Sequence, residues 1–292
     1  MSEPIDLLVN EEGMHYQVVR VANEKIKGQI KIKKIDAIDG NGIPGVGYTI
    51  VSDRYFADAP FNQAEQEKVL LDDWLNQAGD RLEDAPGLAY AENAEGWPYA
   101  PYRVAGVTDG NGQLHFVNLP YGTWSLDESH TVHGYIPVTS GNFPEMIIDQ
   151  DGQILEYTLK NHPVLLGVVK KDSQTRERLN GVRFDFLDAD GNKVLEAETG
   201  YRYRAVLDDE GHLIDIEVKP GELGQIDTHG IFAVGQTYTL IERDTPEGYQ
   251  ALHPLRFEVN RQGEVILEND HPLVDLEYRW DEQEVLYNEL LV

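Results

Sequence analysis

IKIKKIDAIDGNGIPGVGYTIV at residues 30–51 and LGVVKKDSQTRERLNGVRFDFL at residues 166–187 read as two copies of one opening unit. Each is an alternating apolar run ending in lysine, then a turn-rich stretch, then a second apolar run. Working outward, each copy is followed by an aromatic-x-Leu-x-Glu run closing on Gly-Tyr: WSLDESHTVHGY at 124–135 and YTLIERDTPEGY at 238–249. A third element occurs three times, as NEEGMHYQVVRVAN (10–23), DQDGQILEYTLKN (149–161) and NRQGEVILEN (260–269), each a glycine turn and an alternating run that ends in Asn. Repetition in a fixed order marks a tandem array of similar units. Residues 1–25 then read as the trailing hairpin of a preceding repeat, 26–162 as a first domain, 163–275 as a second, and 276–292 as the start of a following segment or tail.

The local pattern is β throughout. Short runs of Val, Ile, Leu, Tyr and Phe alternate with polar residues and are separated by turn pairs such as Asp39-Gly40, Asp109-Gly110, Asp151-Gly152 and Asp190-Gly191. Strands at this spacing without a βαβ rhythm predict antiparallel sandwiches. The exception is 62–82, NQAEQEKVLLDDWLNQAGDRL, whose apolar spacing predicts an amphipathic helix. It sits in an insertion of about 52–106 that the second unit does not match.

Composition narrows the function. The 292 residues carry 24 Lys and Arg against 52 Asp and Glu, a formal net charge of −28, which repels nucleic-acid backbones and anionic membranes. The chain has no cysteine, which excludes disulfide staples, thiolate metal sites and cysteine nucleophiles. No segment reaches the roughly 18 apolar residues of a membrane span, and the N-terminus lacks the pattern of a signal peptide. The histidines show neither H-x-x-x-H nor H-E-x-x-H, and neither phosphate nor dinucleotide fingerprints occur, so no cofactor or metal is expected. LPYGT at 119–123 and DADGN at 188–192 read as turns.

Strand alternation brings out the chemistry. Residues two apart share a face, so Ile30, Ile32 and Lys34 align while Lys31 and Lys33 point away; Leu166, Val168 and Lys170 repeat the arrangement. Trp124, Leu126 and Glu128 align, as do Tyr238, Leu240 and Glu242. Leu155, Tyr157, Leu159 and Asn161 share a face, and Val265, Leu267 and Asn269 do likewise. Each unit thus aims one Lys, one Glu and one Asn along its apolar face. Isolated buried charges are costly, so three such groups in one core call for mutual satisfaction or reaction. Desolvation favours a neutral amine beside a protonated carboxylic acid, and that pair can attack the Asn carbonyl and expel ammonia, leaving a Lys-Asn amide.

These residues carry a resemblance. The Lys-containing first run, LNGV at 179–182, YTLIE with PEGY across 238–249, and the run ending in Asn resemble the Cna-B or SpaA-type prealbumin-like domains of Gram-positive pilins and surface adhesins. The match covers most of the second unit and both ends of the first. It implies immunoglobulin-like sandwiches, each with an autocatalytic isopeptide bond between its first and last strands. By motif position one triad is Lys34, Glu128 and Asn161, and the other is Lys170, Glu242 and Asn269, with Glu128 and Glu242 catalytic. Unit one departs from the pattern in having Val132-His133-Gly134-Tyr135 where the family favours Pro-x-Gly-Tyr. Some members use Asp as acceptor, which makes Asp275 a second candidate.

The expected role is therefore an extracellular, wall-associated stalk or shaft whose partners are neighbouring domains of the same polypeptide. No enzymatic turnover is expected beyond the single bond-forming event in each domain, and neither nucleic-acid binding nor membrane insertion. The alternative is a ligand-binding module that contacts a host protein or glycan through the 52–106 insertion and its aromatics Tyr55, Phe56, Trp74, Tyr90, Trp97, Tyr99 and Tyr102.

Overall fold

In the first lysine-bearing run, the alternation of apolar and polar side chains becomes strand β1 (Lys27–Asp36), with Ile30, Ile32 and Lys34 buried on one face and Lys31 and Lys33 turned outward. The computed structural model describes residues 26–55, 88–93, 101–138, 143–268, 272–281 and 285–292. The first sandwich continues with β2 (Gly47–Tyr55), β3 (Leu88–Asn93), β4 (Pro101–Val107), β5 (Gln113–Pro120), β6 (Gly122–His130), β7 (Met146–Ile148) and β8 (Ile154–Asn161). These strands hydrogen-bond in the order β7-β6-β2-β4-β3-β5-β1-β8. The pairing of β1 with β8, first strand with last, is parallel: Lys34 lies opposite Leu159 and Asp36 opposite Asn161. The core holds Ile30, Ile32, Tyr48, Ile50, Phe116, Trp124 and Met146.

The second sandwich comprises β9 (Leu165–Val169), β10 (Arg183–Leu187), β11 (Lys193–Glu198), β12 (Tyr201–Leu207), β13 (Leu213–Pro220), β14 (Gln225–His229), β15 (Gln236–Asp244), β16 (Leu255–Val259), β17 (Val265–Leu267), β18 (Asp275–Trp280) and β19 (Leu286–Leu291). A five-stranded sheet, β11-β10-β15-β16-β17, packs against a six-stranded one, β13-β12-β14-β9-β19-β18. Aromatics fill the space between them, with Phe232 centred 5.1 Å from Phe186 and 4.9 Å from Tyr238. The fold is all-β, and among the described residues no helix is long and apolar enough to cross a membrane.

Three expectations change here. Residues 276–292 are not the start of a following segment: β18 and β19 complete the second sandwich, and Leu290 and Val292 enter its core. The glycine-turn element at 260–269 does not repeat the one at 149–161, because β8 lies beside β1 whereas β17 folds back on β16 in the opposite sheet. The 52–106 insertion is in part regular sandwich, since β4 pairs with β2 and β3 with β4; β11, β12 and β13 occupy the corresponding stretch of the second unit. The helix expected at 62–82 and the hairpin expected at 1–25 lie outside the described residues.

The two sandwiches meet closely. His133 donates its amide to the Gly211 carbonyl at 3.2 Å, and its ring nitrogen lies 2.8 Å from the Ile231 carbonyl. Asp36 at the end of β1 meets His229 at the end of β14. The chain passes between domains through 161–165, where the Val164 amide donates to Gly134.

Candidate functional site

Lys34, Glu128 and Asn161 come from three strands, β1, β6 and β8, and converge inside the first sandwich. The lysine and glutamate side chains are 0% and 1% exposed and Asn161 is buried. Lys34 Nζ donates to Glu128 Oε2 at 2.9 Å, and Asn161 Nδ2 donates to Glu128 Oε1 at 2.9 Å. The glutamate therefore bridges the amine and the amide. Thr131 donates its hydroxyl to Glu128 Oε1 and accepts from Asn161 Nδ2 at 3.3 Å, while Tyr48 donates to Glu128 Oε2 at 3.4 Å. Asn161 Oδ1, the carbonyl oxygen of the amide, is buried and unpartnered.

The electrostatics suit an amine that must lose its proton. Burial lowers the Lys34 pKa from the ordinary lysine value, and the adjacent Glu128 carboxylate only partly offsets this. The Lys34 ammonium also sits 5.6 Å from the centre of the Tyr48 ring. At the strand end, Gly112 (φ 74°) lets the backbone close on β1: a Cβ there would lie 2.2 Å from the Lys34 carbonyl oxygen. The Lys34 amide donates to the Gly112 carbonyl at 2.7 Å, which fixes the lysine's height in the core.

The second sandwich repeats part of this. Lys170 Nζ, just past β9, donates to Glu242 Oε2 on β15 at 3.1 Å, with side chains 9% and 0% exposed. Phe184 stands opposite Glu242 where Tyr48 stands opposite Glu128, so the tyrosine hydroxyl is missing and the Leu252 amide donates to Glu242 Oε2 instead, at 2.8 Å. Glu242 Oε1 is buried without a partner. Asn269 lies outside the described residues. Asp275, the second acceptor candidate, is exposed on β18; it shares a row with Leu291 and Val169, on the face opposite to the one Lys170 enters.

A family model for the SpaA prealbumin-like fold domain matches residues 28–163 and again 165–271. The chain belongs to this family. Each match contains one buried Lys-Glu pair. Among solved structures, the SpaA-family chain is similar to the Bacillus anthracis TIE protein at 20% identity, covering 80% of this chain and 32% of that one, with a TM-score of 0.36. It is similar to a streptococcal ancillary pilin at 19% identity, covering 91% and 63%, with a TM-score of 0.31. It is similar to the shaft pilin SpaA of Lactobacillus rhamnosus GG at 17% identity, covering 82% and 94%, with a TM-score of 0.35. The chain thus spans about a third of the first of these proteins and under two thirds of the second. No curated protein matches significantly.

Sequence reasoning missed the role of the Gly-Tyr elements. Tyr135 donates its hydroxyl to Asp36 Oδ2 at 2.8 Å, and Tyr249 to Asp172 Oδ2 at 2.6 Å. In both SpaA-family domains the tyrosine thus pins the aspartate two residues after the lysine. Lys34-x-Asp36 and Lys170-x-Asp172, each with a later Gly-Tyr, carried that signal. Of the insertion aromatics, Phe56, Trp74, Trp97 and Tyr99 lie outside the described residues, while Tyr55, Tyr90 and Tyr102 fall on β2, β3 and β4.

Proposed function

We propose that the chain is a pair of tension-bearing domains from the stalk or shaft of a cell-surface adhesin or pilus, closed covalently by a Lys-Asn isopeptide bond within the domain. The observation that supports this is Glu128 bridging Lys34 and Asn161 in a dry core. The ion pair passes a proton from the Lys34 ammonium to Glu128, which burial favours. The freed amine attacks Asn161 Cγ, and Glu128 turns its proton toward the carboxamide, which must rotate to present Oδ1. A C–N bond forms to lysine, the bond to Nδ2 breaks, Glu128 relays the amine's remaining proton to the leaving nitrogen, and ammonia departs. No cofactor enters. Because β1 and β8 are first and last strands of the sandwich, the bond carries force from one chain connection to the other without unzipping the sheet.

Intact-mass measurement tests the chemistry. The protein is expected to be lighter than its sequence by one ammonia at this site, and Glu128→Ala and Asn161→Ala to restore that mass. An unmodified mass for the unsubstituted chain would overturn the covalent reading.

A further inference from the structure

The two Lys-Glu pairs differ in what completes them, and strand register shows where the missing part belongs. In the first sandwich Lys34 stands opposite Leu159 of the parallel last strand, and the amide that satisfies Glu128 Oε1 comes from Asn161, two residues further on. In the second, β19 takes the place of β8. It runs parallel to β9, with Leu290 opposite Val168 and Leu291 opposite Val169. The register continues past the strand: Val292 accepts from the Lys171 amide and donates to the Val169 carbonyl, so it stands opposite Lys170. Leu290 and Val292 share the core-facing side. The residue two positions after Val292 would occupy, in strand and in face, the place Asn161 holds.

Glu242 Oε1 corresponds to the oxygen that Asn161 satisfies in the first domain, and it is buried with no partner. Other candidates in the chain fit poorly. Asn269 follows β17, whose partner is β16 in the glutamate-bearing sheet, whereas the slot beside β9 is filled by β19. Asn288 is on β19 but stands opposite Leu166, about 13 Å of strand short of Lys170. Its amide is fully used, accepting from Val265 N at 2.8 Å and donating to the carbonyls of Leu165 at 2.8 Å and Gly263 at 2.9 Å.

Resting on the isopeptide reading above, we infer that the acceptor position of the second domain is the second residue after Val292, reached by β19, and that Asn269 is not the acceptor. An Asn side chain there would receive the Lys170 amine at Cγ and lose ammonia, with Glu242 holding and returning the proton.

The test appends Lys-Asn-His-Pro, copying residues 160–163, to the full chain and compares its intact mass with a Lys-Ala-His-Pro extension and with the unextended protein. The expected result is one further ammonia lost only from the Asn extension, abolished by Glu242→Ala, with a Lys170–Asn cross-linked peptide found by fragmentation. Loss of two ammonia molecules from the unextended chain, with one restored by Asn269→Ala, would overturn the inference. So would an Asn extension that loses no more than the Ala extension. The first domain serves as internal reference: if Lys34 and Asn161 also stay unlinked, the isopeptide reading itself has failed, whereas a linked first domain beside an unlinked second rejects only the register assignment.

Discussion

Asp36 and His229 belong to different sandwiches, and their Oδ2 and Nε2 atoms lie 2.6 Å apart. The same carboxylate accepts from Tyr135 Oη at 2.8 Å and from the Ile38 amide at 2.7 Å, and the Arg204 guanidinium, paired with Asp39, lies 3.7 Å away. Burial alone would raise the Asp36 pKa, but the hydrogen bonds and charge of His229, with those from Ile38 and Tyr135, outweigh it and hold the carboxyl below its ordinary value. A folded-state pKa below the unfolded one contributes stability that is complete above the ordinary aspartate value of about 3.9 and is lost as pH falls through the folded value. Asp36→Asn is therefore expected to lower stability by about 1.5–3 kcal/mol at neutral pH. In thermal melts the gap from the unsubstituted protein should persist to about pH 5 and close below about pH 4. A gap that widens in acid would reject this assignment.

The Lys34–Glu128 pair predicts an asymmetry between single and double substitutions. Glu128→Ala strands a buried ammonium, which costs about 3–5 kcal/mol by itself. It also removes the proton relay, and with it a cross-link that the loop-closure model values at about 5 kcal/mol for a loop of this length. Lys34→Met combined with Glu128→Leu loses the cross-link too but leaves no unpaired charge. The double variant is expected to be more stable than Glu128→Ala by about 3 kcal/mol in denaturant unfolding. Equal stabilities would show that the buried charge is not what the single variant suffers from.

How much of this could be read from the sequence depended on the range of the interaction. The facing of Lys34, Glu128 and Asn161 followed from period-two alternation inside single strands, which is local, and the structure brings these three side chains together. The neighbour of each strand is not local. Residues 260–269 and 281–292 both follow a turn with an alternating run, and only the tertiary structure decides that β17 returns to β16 while β19 takes the slot beside β9. Asn288 was invisible for the same reason, since its three hydrogen bonds tie β19 to β9 and to the 263–265 turn. The Tyr135–Asp36 bond spans 99 residues, and the contacts of Asp36 with His229 cross a domain boundary that alternation cannot describe.

The two Gly-Tyr tyrosines should respond differently to loss of their hydroxyls. Tyr135 is 6% exposed and serves a buried carboxylate, so Tyr135→Phe is expected to cost about 1.5–3 kcal/mol. Tyr249 is 42% exposed, and its partner Asp172 also accepts from the amides of Gln174 and Thr175 at 2.7 and 2.8 Å. The tyrosine bond and these amides hold Asp172 down to about 2. Solvent and these amides can replace the lost hydroxyl, so Tyr249→Phe should leave the melting temperature unchanged at neutral pH. Equal losses in the two variants would mean that exposure does not set the worth of this bond.

The joint between the sandwiches should be opened by a single methyl group. Gly134 has φ 75°, and a Cβ there would lie 2.0 Å from the Gly230 carbonyl oxygen of the second domain, a backbone atom with no rotamer to escape into. Around it the His133 amide bonds Gly211, and the His133 ring meets the Ile231 carbonyl, so relief must come from displacing the domains. Gly152 makes the control: its φ is 73°, yet a Cβ there meets nothing within 4 Å, so Gly152→Ala pays only the left-handed conformational cost of about 1 kcal/mol. Gly134→Ala is expected to leave both cores folded while lengthening the particle in small-angle scattering and speeding protease cleavage across 161–165. Gly152→Ala should do neither. Scattering and cleavage unchanged in Gly134→Ala would show that the joint tolerates the methyl and that the close approach does not fix the angle between domains.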